Sequence, residues 1–320
     1  MFAKYLLMAF ALAIIPLLIV MLSCFPPHLH ESRNIAMAIE FNDHSAAAWI
    51  ALSKDWFKDV GINVSKLITF RTGLELAAAM ARGDIPIAWA CLGPIIVLKS
   101  KGVPIKVLSM AHLHGYAIVA RPHIRMAKDL NGKVVATPGP GSPCWLLLKI
   151  VEEQYNLSLN IKKIPPYEAL NMLLSRQVDA AAIPEHYVSL AESQGMKVLI
   201  RSQNIWPKMP GSVIAVREEF LRSHPDIVKN IIKITLKSIN YINSEFNESV
   251  SIVASKLGIP RDVMYKSMKN LNYTWSIDIE EVQRYIDLLA KYGAIDKSFS
   301  ANEILDLTLL NEILEMKEDE

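Results

Sequence analysis

Short apolar runs alternate with amphipathic stretches along the chain from residue 33 onward, beginning with a predicted strand at residues 35–40 and a predicted helix at residues 45–60. The short runs are typical of buried strands, whereas the longer stretches repeat apolar residues every three or four positions, as helices do. Strands that alternate with helices form a largely parallel sheet with helices packed against it. The pattern therefore predicts an α/β fold.

The predicted elements form two similar sets that are followed by a helical region. The first set ends with a strand at residues 116–120, and the second set spans residues 133–201. A lone strand at residues 213–217 then precedes a carboxyl-terminal region, residues 225–316, whose pattern is almost wholly helical. Two similar sets predict two lobes rather than one large core.

The lone strand predicts how the chain divides between the lobes. A strand that returns just before a helical tail is explained if the chain crosses back to the first lobe. We therefore predict one lobe from residues 34–120 together with 212–315 and a second lobe from residues 121–211, with a ligand cleft between them. Two covalent crossings, at Ala120-Arg121 and near Gly211-Ser212, would form a hinge that permits closure.

Length and composition support a folded protein of this size. The chain has 320 residues, of which 52% are hydrophobic and 21% charged, so it is too apolar for a disordered protein and too long for one small core. Its 34 Lys and Arg residues balance 32 Asp and Glu residues and are scattered along the chain. Because nucleic-acid-binding proteins concentrate basic residues in a patch or stripe, nucleic acid is not an expected partner.

The amino terminus carries a membrane-directed segment. A charged start precedes an apolar run at residues 5–22, which is followed by Ser23 and Cys24. The run is long enough for a signal peptide or for a membrane anchor, and its pattern does not separate the two. Residues 21–24 resemble a lipobox, so we predict that residues 1–23 are a signal peptide and that Cys24 is lipidated, with a retained anchor as the alternative. Either way the remainder is expected outside the cytoplasm, tethered to the outer face of the cell membrane.

Loops at the carboxyl ends of parallel strands hold the ligands of open α/β sheets. The loop at residues 137–142 runs from a predicted strand into a helix and contains Gly139, Gly141 and Ser142. Glycine lets a ligand approach the backbone closely, and the unpaired N–H groups at a helix start attract an anionic head group. The alternative is an ordinary glycine-rich turn in which Ser142 caps the helix.

Other loops place polar groups at corresponding positions of the two lobes. An acid and an imidazole at 185–186 could receive the amine of a zwitterion whose acidic head lies at the 141–142 helix start. The plain alternatives are helix caps near Asp43, a simple turn at Gly93, and Glu185 as a favourable first-turn acid. The predicted ligand-binding residues are Asn42, His44, Leu92, Gly93, His114, Gly141, Ser142, Glu185 and His186.

Motifs for catalysis, nucleotide binding and metal binding are missing from the sequence. The glycine-rich loop lacks the Gly-Lys-Ser/Thr of a P-loop and the spacing of the dinucleotide fingerprint, and neither Gly-x-Ser-x-Gly nor His-Glu-x-x-His occurs. His44, His112 and His114 have no carboxylate or cysteine at a ligand spacing. We therefore predict no catalytic residue, no metal and no cofactor.

Short motifs follow one another in a fixed order along residues 35–292. They are Trp56-Phe57-Lys58-Asp59-Val60-Gly61, Ala81-Arg82-Gly83-Asp84, Gly93-Pro94, Lys101-Gly102-Val103-Pro104, Asp129-Leu130-Asn131-Gly132, Gly141-Ser142, Val178-Asp179-Ala180 and His224-Pro225. In order and spacing they resemble the substrate-binding proteins of ABC importers, specifically the nitrate, sulfonate, taurine and thiamine-pyrimidine group, which has the type II periplasmic-binding-protein fold.

The resemblance implies a monomeric, non-enzymatic protein that clamps a small solute between two lobes and delivers it to a permease with its ATPase. The loops favour a small anionic or zwitterionic solute such as a sulfonate, taurine or nitrate. Many relatives have a Trp-Glu-Pro-like turn where this chain has Pro184-Glu185-His186. The identity of the ligand therefore cannot be carried over from the resemblance.

Other functions stay open at the level of sequence. A thiamine-precursor pyrimidine could stack on Trp145 or Tyr187, because aromatic faces near polar edges suit a flat ring. The same fold also serves a pyrimidine-forming synthase, but that class is intracellular, and this chain lacks its cysteine-rich motif. A surface sensor would lack the permease partner that an importer component needs.

The Ser23-Cys24 junction makes a testable prediction about the amino terminus. Mass spectrometry of the mature protein should find Cys24 as the lipid-bearing first residue, and Cys24→Ser should release or mislocalise the protein. An intact Met1, or cleavage at another residue, would instead indicate a signal anchor.

Overall fold

The strands form two five-stranded sheets and one two-stranded sheet in the computed structural model of the protein, which describes residues 33–318. The strands are β1 (Arg33–Glu40), β2 (Ile62–Phe70), β3 (Ile87–Cys91), β4 (Ile105–Met110), β5 (Leu113–His114), β6 (Tyr116–Ala120), β7 (Val134–Thr137), β8 (Asn160–Lys163), β9 (Ala180–Pro184), β10 (Lys197–Arg201), β11 (Ser212–Arg217) and β12 (Leu271–Asn272). The predicted leader and Cys24 lie outside the described residues.

Helices cover the sheets and make up most of the chain after β11. The α-helices are α1 (Ala46–Ser53), α2 (Trp56–Asp59), α3 (Gly73–Ala81), α4 (Leu92–Ser100), α5 (Pro143–Gln154), α6 (Pro166–Leu174), α7 (Glu185–Ser193), α8 (Ser202–Ile205), α9 (Glu218–Ser223), α10 (Pro225–Ser244), α11 (Phe246–Leu257), α12 (Arg261–Met268), α13 (Ile279–Lys291), α14 (Ala301–Ile304) and α15 (Thr308–Glu318). Short 3-10 helices occur at Asp43–Ser45 and Ala127–Leu130. The predicted α/β fold is confirmed.

The first predicted helix, at residues 45–60, is interrupted in the structure. Asp55 has a φ of 58°, which is the left-handed region, so α1 ends at Ser53 and α2 begins at Trp56. An aspartate tolerates this conformation better than most residues do. The apolar repeat of the sequence continues across the break, which is why the pattern alone predicted one helix.

The first sheet has the strand order β2-β1-β3-β11-β4. β1 and β3 are parallel, and β11 runs antiparallel between β3 and β4. β3 is buried along its whole length, as expected of a central strand that is covered on both faces. β11 therefore returns the chain to the first sheet after the second sheet is complete.

The second sheet has the strand order β10-β6-β9-β7-β8, with β6 antiparallel to both of its neighbours. The sequence prediction placed β6 with residues 34–120 in the first lobe, and its pairing disagrees with that boundary. The side chains of β6 explain the pairing, because they alternate between two apolar clusters, with Ile118 in one and both Ala117 and Val119 in the other. The chain therefore leaves the first sheet after β4 rather than at Ala120-Arg121.

The two segments that connect the sheets, residues 111–115 and 206–211, are bonded to each other. The N–H of His114 donates to the carbonyl oxygen of Met209 at 2.9 Å, and the N–H of Gly211 donates to that of His112 at 3.1 Å. β5, within the first of these segments, also pairs with β12 from the helical region. The two connections between the sheets therefore form one hydrogen-bonded pair of segments.

His112 is held in one tautomer at this crossing. Its Nε2 accepts a hydrogen bond from the N–H of Ser212 at 3.1 Å, so its Nδ1 carries the proton and donates to the carbonyl oxygen of Leu113 at 3.3 Å. Burial lowers the pKa of His112 well below its ordinary value. The ring is therefore neutral and acts as a structural link between the two segments.

The helices that follow β11 pack against both five-stranded sheets. Buried apolar residues of α10 pack into the same cluster as α1, and one further apolar cluster contains residues from both five-stranded sheets. Within residues 33–318, none of the helices has the length and apolar character needed to cross a bilayer.

Gly211 supplies a test of the tight packing at the crossing. A Cβ added there would lie 2.3 Å from Cε1 and 2.7 Å from the carbonyl oxygen of His112. Gly211→Ala should therefore destabilise the protein by about 1–3 kcal/mol in thermal or urea unfolding, because the crossing must shift to admit the methyl group. Lys208→Ala, an exposed change in the same segment, serves as the control, and equal stability of the two variants would contradict the described packing.

Candidate ligand-binding cleft

A cavity of about 30 Å³ lies between the two five-stranded sheets. Its walls come from the carboxyl ends of β1, β3 and β9 and from loops that lead into α3, α5, α6 and α7. This is the edge at which open α/β sheets bind ligands. The lining residues are Glu40, Asn42, Arg71, Thr72, Gly73, Leu74, Cys91, Pro94, Tyr116, Pro138, Ser142, Pro143, Cys144, Pro166, Pro184 and His186.

Glu40, the last residue of β1, is fixed in the first-sheet wall although only 3% of it is exposed. Its Oε1 accepts a hydrogen bond from the N–H of Cys91 at 2.7 Å, and its Oε2 accepts one from Nδ2 of Asn42 at 3.1 Å. The Cys91 thiol also donates to Oε2 at 3.4 Å, and burial together with the Glu40 charge raises the pKa of that thiol well above its ordinary value. The carboxylate is thus held by three donors.

Gly73 makes room for this carboxylate at the start of α3. A Cβ on Gly73 would lie 2.7 Å from Oε1 of Glu40 and 3.3 Å from Cβ of Cys91. Thr72, one residue earlier, caps α3 in a capping box with Glu75. The local sequence therefore begins a helix at the point where the Glu40 side chain needs space.

The second-sheet wall contains the start of α5. Oγ of Ser142 accepts a hydrogen bond from the N–H of Trp145 at 3.1 Å and donates to the carbonyl oxygen of Gly139 at 2.8 Å. Gly139 and Gly141 have φ values of 108° and 87°, which only glycine adopts readily. Ser142 therefore caps the helix, which was the alternative to ligand binding in the sequence prediction, and it also lines the cavity.

The two walls touch beside the cavity. A Cβ on Gly93, in α4, would lie 2.4 Å from the carbonyl oxygen of Gly141 and 2.8 Å from Oη of Tyr285. The backbones at Gly93 and Gly141 therefore lie too close together for a side chain at position 93. Because they meet one another, Gly93 and Gly141 do not themselves line the cavity.

Asp43 and His186 form a buried contact between the sheets. Nδ1 of His186, which lines the cavity from α7, lies 3.4 Å from Oδ1 of Asp43. Ser267 donates to the other oxygen of Asp43, and Oη of Tyr273 donates to its backbone carbonyl at 3.1 Å. Burial alone would raise the pKa of Asp43, but the nearby His186, the charge of His44 and the Ser267 hydrogen bond lower it below its ordinary value.

Glu185 is turned away from the cavity. Its Oε1 accepts hydrogen bonds from Nε of Arg201 and from Nδ2 of Asn270, each at 3.1 Å, while its Oε2 has no partner among the described residues. Burial raises the pKa of Glu185 to about 8, in spite of the opposing charge of Arg201. Because Asn270 follows α12 and Glu185 begins α7, this cluster is a polar link between the second sheet and the helical region.

The predicted ligand residues are thus divided by the structure. Asn42, Ser142 and His186 line the cavity, whereas Leu92, Gly93, Gly141 and Glu185 pack next to it. His44 is buried, and its Nε2 donates to the carbonyl oxygen of Gly115 at 3.0 Å, while His114 lies on β5 in the crossing segment.

Arg71 is a cleft residue that the sequence analysis missed. It follows β2 directly, lines the cavity, and its guanidinium lies 4.9 Å from the ring centroid of Tyr167 on α6. Such a cation–π contact spans the cleft from one sheet to the other. The rule that ligands lie at strand ends applied equally to the end of β2, but a lone arginine in a polar loop carries no other signal.

No group of three or more His, Cys, Asp or Glu side chains within residues 33–318 could hold a metal ion. The histidines near the cleft are instead used internally. His44 lies against the rings of His112 and Tyr116, with ring centroids 4.5 and 4.9 Å apart.

The fold is shared with solved solute-binding proteins. The alkanesulfonate-binding protein SsuA of Xanthomonas axonopodis pv. citri, solved bound to MOPS, superposes with a TM-score of 0.77 at 16% sequence identity. The match covers 87% of this chain and 99% of that one. The periplasmic-binding-protein fold that the sequence resemblance implied is therefore confirmed.

Sequence relatives point the same way. An aliphatic sulfonates-binding protein of Bacillus subtilis (strain 168) is 27% identical over 281 residues, which cover 83% of this chain and 84% of that protein. The taurine-binding periplasmic protein of Escherichia coli (strain K12) is 26% identical over 211 residues, or 63% of this chain and 65% of that protein. The NMT1-like family matches residues 30–255, and the chain belongs to that family.

The buried Glu185 predicts a specific pH dependence of stability. Its pKa rises from an ordinary 4.5 to about 8 on folding, so between these values the folded state keeps a proton that the unfolded state loses. Its contribution to stability is therefore complete below pH 4.5 and is lost as the pH rises to 8, by at most about 1.4 kcal/mol per pH unit.

Glu185→Gln, which stays neutral at every pH, isolates this effect. The melting temperature of the variant relative to the unmodified protein should rise between pH 5 and pH 8. Glu168→Gln, at an exposed position of α6, should show no such trend. A constant difference for Glu185→Gln across this range would contradict the described burial of the carboxyl group.

Proposed function

We propose that this protein is the extracytoplasmic solute-binding component of an ABC importer and that it captures a small sulfonate-type anion or zwitterion in the cleft between its sheets. The observation that carries the proposal is the cavity at the strand ends, which combines the Arg71 guanidinium with the starts of several helices. The names of its relatives, which are binding proteins for sulfonates and taurine, support the same solute class and support binding rather than catalysis.

The acidic head of the ligand is assigned to the part of the cavity beside Arg71. The starts of α3 and α5 line the same cavity, and helix starts carry unpaired N–H groups and a partial positive charge. An arginine adds a full charge and can donate two parallel hydrogen bonds to one anionic group. A sulfonate, with three equivalent oxygens, can accept from both kinds of donor at once.

Ligand entry requires the sheets to separate. A cavity of about 30 Å³ holds one or two water molecules, which is too little for an organic sulfonate. We propose two lobes that move about the crossing segments: the division predicted from the sequence, with β6 transferred to the second lobe. Arg71 on Tyr167 and Asp43 on His186 are then contacts that form on closure.

The pyrimidine alternative has less support. Trp145 and Tyr187, the aromatic residues proposed to stack on a flat ring, are not among the residues that line the cavity. Trp145 packs edge-on against Tyr292, and Tyr187 packs against the ring of His186. Of the large aromatic side chains, Tyr116 alone faces the cavity within residues 33–318, and its hydroxyl is already in contact with Cys91.

The proposals on export, membrane attachment and protein partners rest on the sequence. We propose that a signal peptide at residues 1–23 exports the protein and that Cys24 tethers it to the outer face of the membrane. The expected partners are a permease and its ATPase, with the binding protein acting as a monomer. Capture near the membrane surface would then raise the chance that a loaded protein meets its permease.

Arg71 provides the direct test of the proposed binding mode. By isothermal titration calorimetry with 2-aminoethanesulfonate and ethanesulfonate as probes, Arg71→Ala should weaken binding about 10- to 100-fold, because a charge-assisted hydrogen bond is lost. Arg71→Lys should bind the probes more weakly than the unmodified protein and more tightly than Arg71→Ala, since lysine keeps the charge but not the forked geometry.

Arg82→Ala is the matched control, since Arg82 is an exposed arginine at the end of α3 that pairs with Asp84. Nitrate and a hydroxymethylpyrimidine complete the panel of probes. Binding of the pyrimidine in preference to every sulfonate, or binding of sulfonates that is unaffected by Arg71→Ala, would overturn the proposal.

A further inference from the structure

The end of the cavity at β1 is built from hydrogen-bond acceptors. Glu40 and Asn42 both line the cavity, and each is only 3% exposed. Nδ2 of Asn42 donates to the Glu40 carboxylate, which fixes the orientation of the amide. Oδ1 of Asn42 is then an acceptor, and it is buried without a hydrogen-bond partner in the structure. Glu40 and Oδ1 of Asn42 are therefore neighbouring acceptors to which a ligand could donate hydrogen bonds.

Glu40 also lacks a positive partner. Both of its oxygens accept hydrogen bonds, but its donors, the Cys91 N–H and thiol and the Asn42 amide, are neutral. Among the ion pairs of residues 33–318 none involves Glu40, whereas the buried Asp43 and Glu185 have His186 and Arg201. A buried carboxylate without a cation is unfavourable, and a ligand cation would relieve it.

The residues around Glu40 leave space for its carboxylate. Gly73 would clash with Oε1 of Glu40 if it carried a Cβ, so the start of α3 is shaped around the charged group. Three donors are accounted for, and a carboxylate offers about four acceptor positions. One position of Glu40 and the Oδ1 of Asn42 are left for a further donor.

A residue of the opposite charge, Arg71, also lines the cavity. Arg71 is exposed, whereas Glu40 is almost completely buried. The cavity is therefore lined by an exposed cation and by a buried anion. A ligand with the reverse arrangement, an ammonium at one end and a sulfonate at the other, would match both charges.

We propose that Glu40 and Asn42 select a ligand that carries a primary ammonium group, so that the solute is a short aminoalkanesulfonate bound with its amine inward. This inference rests on the proposed sulfonate-binding function and names the solute class more narrowly. Glu40 and Asn42 accept from the ammonium, and Arg71 and the helix starts receive the sulfonate. Glu185, which the sequence analysis assigned to the amine, is occupied by Arg201 and Asn270 instead.

The test compares two ligands of nearly equal shape by isothermal titration calorimetry on the full exported protein. In 2-aminoethanesulfonate an ammonium stands where propane-1-sulfonate has a methyl group. The unmodified protein should bind the aminosulfonate at least about 10-fold more tightly, because the methyl group would leave the buried carboxylate and amide unpaired. Equal or tighter binding of propane-1-sulfonate would overturn the inference without any variant being made.

Glu40→Gln then assigns the preference to its residue. It should weaken binding of 2-aminoethanesulfonate by about 10- to 100-fold and leave propane-1-sulfonate unchanged or improved. Glu168→Gln removes one negative charge from an exposed position of α6 and should keep the original ratio. Circular dichroism and retained propane-1-sulfonate binding would show that Glu40→Gln is folded.

The outcomes separate this inference from the function on which it rests. If both sulfonates bind with similar affinity and Glu40→Gln changes neither, selection by Glu40 is wrong and sulfonate binding stands. If neither sulfonate binds to the unmodified protein, the proposed function and this inference both fail.

Discussion

The contact between Asp43 and His186 is the constraint on which the arrangement of the cleft depends. Asp43 follows β1 of the first sheet, His186 begins a helix of the second, and both are nearly inaccessible to water. A charge buried in this way is tolerated only when it is paired, and Asp43 is paired by an imidazole from the other sheet and a hydroxyl from the helical region. The sheets must therefore lie close together for the pair to form. The same proximity brings Gly93 against Gly141 and leaves only a small cavity beside them.

The polar groups around this contact have distinct uses. Glu185 is paired with Arg201 and Asn270 and serves the packing of α7 on the helical region, whereas His112 links the two crossing segments. Glu40 differs from both, because it faces the cavity with neutral donors only. The division between structural charges and an unpaired one indicates where a charged ligand would replace a missing partner.

Much of the fold could be predicted from hydrophobic periodicity. The strand at residues 116–120 has the predicted bounds, because it is a short apolar run between turn residues. The sheet to which β6 belongs could not be predicted, since the apolar pattern of a strand does not show which strand it pairs with. Sheet membership depends on which core its two faces fill, and that is a long-range property.

The candidate site was harder to predict than the fold. The rule that ligands lie at strand ends selected Asn42, Ser142 and His186, which line the cavity, because each lies shortly after the end of a strand. It also selected Glu185, whose side chain pairs with Arg201 instead of lining the cavity. That pairing joins α7 to β10, and the sequence pattern does not show it. Glu40 was missed because a glutamate at the end of a strand looks like a surface residue. Its burial arises from Gly73 and Cys91, which come from other elements.

A crystal structure of the protein with 2-aminoethanesulfonate at saturating concentration would establish or exclude the proposed binding mode. We expect one molecule between the two sheets, with its nitrogen within hydrogen-bond distance of a Glu40 oxygen and of Oδ1 of Asn42. Its sulfonate should contact the Arg71 guanidinium, and the cavity should be larger than about 30 Å³. A ligand bound outside this cleft, or one bound with its sulfonate against Glu40, would exclude this binding mode.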